Sequence, residues 1–197
     1  MKYSSFCTIM LVALSALLFS CKKEIPPTEL QFTVNDNFGN LVSNADIKLY
    51  LTLTDMVNKT NQVGSTQYTN SLGVAKFTNL SPVHYYYFIE EGCLNNANGS
   101  YGTSTAISAS ITNTVTCVIS STGFIEFINN STDPYSLYIN GTYEFDLAGG
   151  YYQIFNYYPV GSYTLKVVQV SGYAIYPTVI TFTGTLSCGS TLTATFP

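Results

Sequence analysis

A two-residue alternation of apolar and polar side chains constrains the fold of this 197-residue chain more than any other feature. Segments 45–51 and 163–167 place an apolar residue at every second position. In an extended strand, this period turns one face toward a core and the other toward water. No window after the first 20 residues keeps the 3.6-residue apolar period of an amphipathic helix. The sequence therefore predicts an all-β fold.

Turn signals divide the strands into two modules, which we expect to be small antiparallel β-sandwich domains in tandem. The first covers residues 29–121 and the second covers residues 123–197. In the second module, Asn140-Gly141 is the strongest signal for a two-residue hairpin. A short hinge at residues 120–123 separates the modules. We therefore expect a short, semi-rigid rod.

The amino-terminal leader predicts export from the cytoplasm. Lys2 precedes an apolar run at residues 9–19. That run is too short for a bilayer core of about 30 Å, which a helix of roughly 20 residues spans, and is typical of a secretory signal peptide. Residues 18–21 read Leu-Phe-Ser-Cys, which resembles the lipobox of bacterial lipoproteins.

The lipobox resemblance implies an address and an anchor. It implies that residues 1–20 are a removed signal peptide, and that Cys21 carries lipid as the first mature residue. Residues 21–28 then form a Pro-containing tether, extended at about 3.1 Å per residue. The Ser-Cys-Lys-Lys-Glu junction is similar to outer-membrane lipoproteins of Gram-negative bacteria, which implies a bacterial cell envelope, outer-membrane location. An ordinary cleaved signal with a chance cysteine is the alternative.

Two further resemblances concern the modules. Residues 36–50 and 69–80 resemble the carboxypeptidase-regulatory-like, transthyretin-like β-sandwich, through a D-x-x-G turn, an A-x-I-x-L strand and a T-x-x-x-G-x-A-x-F-x-x-L hairpin. Residues 130–141, 158–167 and 172–173 are similar to PEGA-type surface domains. The first resemblance implies a non-enzymatic folding and presentation module, with no catalytic residues to carry over.

Three cysteines remain after Cys21 and the leader are set aside. Of these, Cys93 and Cys117 enclose a loop that can close within the first module, and we expect them to form the disulfide. The alternative is that Cys93, Cys117 and Cys188 are all buried thiols. No cysteine pair has the short spacing of zinc ligands, and His84 is the only histidine. The sequence therefore predicts no metal site and no cofactor.

Charge and acid placement limit the chemistry. Without residues 1–20 the chain has six lysines against eleven acidic residues, a net charge of −5, and no arginine. Such a chain offers no basic stripe for nucleic acid. Glu90 and Glu91 are adjacent on a strand and point to opposite faces, and the Asp36 segment fits a hairpin turn better than a calcium loop. We expect a protein that is not an enzyme.

Clustered tyrosines are the feature with functional promise. We identify Tyr151, Tyr152, Tyr157 and Tyr158 as candidate ligand contacts, because tyrosine combines an apolar face with a polar tip. The first hypothesis is a lipid-anchored module that binds or presents a protein or carbohydrate ligand. The second is a structural accessory subunit of an outer-membrane assembly. Membrane attachment through Cys21 is common to both.

Replacing Cys21 tests the anchor. We expect Cys21→Ala to lose the lipid and to move the protein out of the membrane fraction, while the β-rich circular dichroism spectrum stays unchanged. Membrane fractionation and intact-mass measurement check this. A wild-type protein with an unmodified amino terminus would contradict the prediction.

Overall fold

In this computed structural model, the described part of the chain, residues 24–103 and 105–197, consists of β-strands and their connections with one short helix. The all-β prediction is confirmed. The strands are β1 Glu29–Asp36, β2 Asp46–Tyr50, β3 Val63–Tyr68, β4 Val74–Phe77, β5 Tyr86–Glu91, β6 Leu94–Asn95, β7 Thr112–Asn129, β8 Tyr135–Ile139, β9 Thr142–Leu147, β10 Tyr152–Pro159, β11 Gly161–Gln169, β12 Val179–Leu186 and β13 Thr191–Phe196; the helix α1 is Leu53–Asn58.

The predicted signal peptide and the lipidation site Cys21 lie outside the described residues. Among the residues that are described, no helix is both long and apolar enough to cross a membrane. Helix α1 is a single short element of six residues, capped at its start by the Thr52 side chain, which accepts a hydrogen bond from the Asp55 N–H.

Strand β7 is the axis of the structure. Its 18 residues extend roughly 55 Å at about 3.3 Å per residue. The first part pairs with β1 in parallel, from Glu29↔Thr112 to Asp36↔Ile119. The last part pairs with β13 in parallel and with β10 antiparallel. The hinge predicted at residues 120–123 is therefore wrong, because these residues lie inside one continuous strand.

The first hydrophobic core lies around the beginning of β7. Strands follow the order β3-β2-β5-β6-β7-β1-β4, and the sheet folds back so that β1 faces β5. The Phe32 and Tyr87 rings meet edge to face at 5.0 Å between centroids. Alternation along the strands supplies the other buried side chains, which include Leu30, Val34, Ile47, Leu49, Ala75, Phe77, Ile89, Cys117 and Ile119.

The second core lies around the end of β7. A sheet of order β12-β11-β8-β9 covers the face formed by β10, β7 and β13. The predicted hairpin is confirmed: Asn140 and Gly141 join β8 to β9 with φ of 48° and 84°, the positive values that a type I′ turn requires. Buried side chains include Ile125, Phe127, Tyr135, Leu137, Ile139, Leu165, Val167, Leu186 and Phe196.

The sheets are antiparallel, as the sequence predicts, except at two parallel pairs, β1 with β7 and β13 with β7. Parallel partners need a long crossover connection. Here the connection from β1 to β7 contains strands β2 to β6, which form the rest of the first module. Hairpin signals in the sequence are local, so they do not reveal such a pairing.

A disulfide between Cys93 and Cys188 joins the two modules, with Cα atoms 5.6 Å apart. The predicted Cys93–Cys117 pairing is wrong. Cys117 points with Ile119 into the first core, where burial raises the pKa of its thiol to about 12. Cys93 instead lies in the β5–β6 turn, which meets the β12–β13 turn that carries Cys188. Cys117 is therefore left as a free, buried thiol.

Both turns bond to the same residue of β7. The Thr122 N–H donates to the Cys93 carbonyl at 3.0 Å, and the Thr122 carbonyl accepts from the Gly189 N–H at 2.8 Å. The neighbouring Gly123 leaves room for this approach, because a Cβ there would lie 2.7 Å from the Ser190 carbonyl oxygen. A glycine is therefore required where the turns close on β7.

Removing the disulfide is expected to destabilise the whole protein. The cross-link closes a sequence separation of 95 residues, and loss of a native disulfide of this kind costs about 2–5 kcal/mol. We expect the Cys93→Ala/Cys188→Ala variant to lose this amount in urea unfolding, and Cys117→Ala to keep the cross-link. Non-reducing peptide mapping that linked Cys93 to Cys117 would contradict the structure.

Candidate functional site

The four candidate tyrosines do not form one surface. Tyr151 and Tyr152 are each 66% exposed, at the start of β10. Tyr157 and Tyr158 are half-buried near the other end of the same strand. The Tyr158 ring packs 6.0 Å from Phe155, and burial together with the nearby Glu144 raises its pKa. The structure therefore separates an exposed pair from a packed pair.

The exposed pair belongs to a larger patch that we call the distal tip, formed by Tyr151, Tyr152, Tyr173, Ile175 and Tyr176. The β9–β10 turn provides the first two side chains and the β11–β12 loop provides the other three. Ile175 and Tyr176 are highly exposed, at 78% and 83%. The loop residues Tyr173, Ile175 and Tyr176 were not among the predicted ligand contacts, although turn residues and closely spaced tyrosines mark this part of the sequence.

Hydrogen bonds hold the β11–β12 loop at the end of β7. The Gln169 Nε2 donates to Asp133 Oδ2 at 2.8 Å, and the Val170 N–H donates to the Pro134 carbonyl at 2.9 Å. On the other side, Tyr152 pairs with Ile128, one residue before the end of β7. Both parts of the distal tip therefore lie at the same end of the molecule.

Asn129, the last residue of β7, organises the base of the distal tip. Its buried amide donates to the carbonyls of Asp133, Leu147 and Ala148 at 2.8, 3.2 and 3.2 Å. Its Oδ1 accepts from the Ser131 hydroxyl at 2.7 Å. One side chain thus ties together two of the connecting segments. Nothing in the sequence distinguishes Asn129 from the many other asparagines.

The side chains that form the distal tip are uncharged, and the Asp133 carboxylate lies against Gly172 at its base. Residues 147–152 and 170–179 contain no Asp, Glu, Lys or His. The patch therefore offers aromatic faces, phenolic hydroxyls and one large aliphatic side chain. Aromatic side chains of this kind are enriched in the cores of protein interfaces, and their rings also stack on flat ligands.

The packed Tyr157 occupies an unusual backbone conformation. The pairing of β10 with β7 shifts register between Phe155 and Tyr158, and Tyr157 has φ of 61° within this bulge. Left-handed backbone in a bulky residue costs on the order of 1–3 kcal/mol and persists only where the surroundings hold it. The Asn98 Nδ2 donates to the Tyr157 carbonyl at 2.7 Å. The bulge aims the ring at the first module.

The Tyr157 ring closes a cavity between the modules, which we call the junction pocket. Its volume is about 160 Å³, and its mostly apolar walls are formed by Met56, Lys59, Phe88, Ala97, Tyr101 and Tyr157. The Lys59 Nζ lies 4.4 Å from the Phe88 ring centroid and 5.5 Å from that of Tyr157. A cation over two aromatic faces is attracted by both rings.

Four charged side chains run from the junction pocket along β2 and β5. The Lys59 Nζ lies 3.4 Å from Glu90 Oε2, and the Lys48 Nζ lies 3.0 Å from both Glu90 Oε1 and Asp46 Oδ2. Burial raises the pKa of Glu90, but the two lysines outweigh burial, so the net shift of this pKa is downward. Burial lowers the pKa of Lys59, and its contacts with Tyr157 and Glu90 make the net shift upward.

The remaining polar residues that the sequence singled out have structural partners. Asp36 accepts from the N–H groups of Phe38 and Asn40 at 2.8 Å each, as a hairpin turn requires. His84 packs edge to face on Tyr86 at 4.6 Å. Across the part of the chain that the structure describes, no three His, Cys, Asp or Glu side chains are grouped as metal ligands.

Comparisons with known proteins give no family. No protein-family model and no curated protein sequence match the chain. Similar solved structures include a streptococcal ancillary pilin, at TM-score 0.40 and 16% identity over 88% of this chain and 63% of that one. They also include the Bacillus anthracis TIE protein, at TM-score 0.36 and 20% identity over 87% of this chain and 34% of that one.

The minor pilin of Streptococcus agalactiae is similar at TM-score 0.32 and 17% identity, over 86% of this chain and 94% of that one. The chain spans less than two thirds of the ancillary pilin and of the TIE protein. Identities and TM-scores this low do not assign a fold family or a function. The transthyretin-like and PEGA-like resemblances therefore stay predictions.

The charge pattern around Glu90 predicts acid sensitivity. Because the folded-state pKa of Glu90 lies below the unfolded value of about 4.3, this carboxylate stabilises the fold above that pH, and the effect is lost as the pH falls through the folded pKa. We expect Glu90→Gln to lower stability at pH 7 by about 1 kcal/mol and to flatten the decline between about pH 5 and 3. Urea midpoints against pH measure this. Glu91→Gln, the matched control, should keep the wild-type slope; equal slopes for all three proteins would contradict the assignment.

Proposed function

We propose that this protein is a lipid-anchored, non-enzymatic component of the bacterial cell envelope, held on the outer membrane through Cys21, and that the distal tip binds a protein or glycan ligand. The observation that carries the proposal is the position of the tip relative to the amino-terminal tether. The tether enters β1 at Glu29, which pairs with Thr112 at the start of β7. The distal tip lies at the end of β7, beside Ile128.

This arrangement gives the tip its reach. The tether of residues 21–28 adds about 25 Å when extended, and β7 adds roughly 55 Å. The tip would then stand roughly 80 Å from the lipid. The strand through both cores and the Cys93–Cys188 disulfide support a rigid spacer, because bending it would break ladder hydrogen bonds and strain a covalent link.

The chemistry of the tip supports recognition. Tyrosine dominates the centres of protein interfaces because its ring buries a large area at little entropic cost while its hydroxyl stays hydrogen-bonded. Tyr152, Ile175 and Tyr176 are solvent-exposed large side chains on two adjoining connections. Exposure of this kind has no folding role, since both cores are complete without these residues.

A photo-crosslinking amino acid at position 176 tests the proposal on intact cells that carry the full lipidated protein. The same amino acid at Tyr68, an exposed tyrosine of the first module with 64% exposure, is the control. We expect adducts from position 176 only. Adding Tyr152→Ser and Ile175→Ser should reduce the adduct at least tenfold, because truncated interface centres commonly cost 2 kcal/mol or more.

A glycan array with the same protein covers the carbohydrate ligands. Tyr152→Ser and Ile175→Ser both lie on the surface, so the urea midpoint of this variant should stay close to that of the wild type. Equal labelling from positions 68 and 176, or no adduct together with a blank glycan array, would contradict the proposal.

A further inference from the structure

The junction pocket has features that the distal tip does not explain. The Tyr157 ring is presented by a left-handed residue within a β-bulge, and its carbonyl is fixed by Asn98. Neither sheet needs this geometry, because β10 resumes its pairing with β7 at Tyr158. Strained residues and bulges of this kind concentrate where a side chain is aimed at a ligand.

The size of the pocket suits one compact apolar group. A cavity of about 150 Å³ accommodates benzene, and the junction pocket measures about 160 Å³. Phe88 and Tyr157, with centroids 5.5 Å apart and tilted by 53°, offer two aromatic walls. Met56 and Ala97 add aliphatic surface. Half-exposed Tyr101 and Val57, at 43% and 67%, leave a route to solvent.

Lys59 gives the pocket a polar specificity. An ammonium has three donors, and in this structure Glu90 engages Lys59 at the long distance of 3.4 Å. Glu90 keeps a shorter contact of 3.0 Å to Lys48. Lys59 therefore has donors to offer a second anion without leaving Glu90 unpaired, and its position over the rings places those donors beside the apolar space.

We propose that the junction pocket binds a small apolar carboxylate, with an aromatic ring or branched aliphatic group packed against the adjacent Phe88 and Tyr157 rings and the carboxylate on Lys59. The site is independent of the distal tip and of the membrane anchor. Because its walls come from both modules, it exists only while the modules keep their relative position.

A methionine-methyl signal reports directly on the pocket. The sequence has three methionines, and Met56 lines the pocket. The full chain labelled with ¹³C-methyl methionine gives few signals, and the one missing in Met56→Leu is that of Met56. Phenylacetate is the probe, and phenylacetamide is its uncharged counterpart. We expect a saturable shift of the Met56 signal with phenylacetate at millimolar concentrations.

Three variants separate the parts of the proposal. Lys59→Gln should weaken phenylacetate about fivefold, the upper range for an exposed ion pair, and leave phenylacetamide unchanged. Ala97→Leu fills the cavity and Tyr157→Gly removes the wall at a backbone position that glycine tolerates, so both should abolish the shift. Tyr143→Ala, an exposed tyrosine of β9, should bind like wild type.

Two kinds of result would contradict the proposal. No saturable shift with either probe, or a shift that persists in Ala97→Leu, shows that the cavity takes no ligand of this class. Equal weakening of both probes by Lys59→Gln shows that the carboxylate is not recognised. None of these results bears on the binding proposed for the distal tip.

Discussion

Neither core of this protein is complete without strand β7, because side chains from the two halves of this one strand fill the two cores. Cys117 and Ile119 point into the first core, and Ile125 and Phe127 point into the second. Between them Thr122 bonds through its N–H and its carbonyl to turns that belong to different modules. A strand interior cannot bend freely without losing ladder hydrogen bonds. The relative position of the two cores therefore follows from the pairing of one strand.

Other contacts reinforce that arrangement. The Cys93–Cys188 disulfide links the turns on one side of β7, and the bulge at Tyr157 brings a second-module ring onto Phe88 of the first. A covalent link and an aromatic contact thus both cross the junction. One consequence is a pocket with walls from both modules. Another is a distal tip whose distance from the tether is set by the length of β7.

Local patterns in the sequence were informative wherever a structure depends on neighbouring residues. Alternation at 45–51 and 163–167 predicted strands that the structure contains, and Asn140-Gly141 predicted the β8–β9 hairpin. The alternation fails only where β2 ends, because Tyr50 is buried and Leu51 is exposed. The small polar residues at 120–123 have the composition of a linker, and the hinge predicted from them is wrong. Their backbone groups are bonded to turns far away in sequence, which no local pattern records.

The sequence by itself determined the all-β class, the hairpin and the inward positions of Ile47, Leu49, Leu165 and Val167, because these follow from side-chain period and turn chemistry. Tertiary structure decided the parallel partners of β7, the choice of Cys188 over Cys117, and the separation of Tyr151 and Tyr157 into different sites. Those outcomes depend on contacts between residues as far as 95 positions apart. Such contacts depend on how whole sheets pack against each other, and local sequence patterns do not reveal that packing.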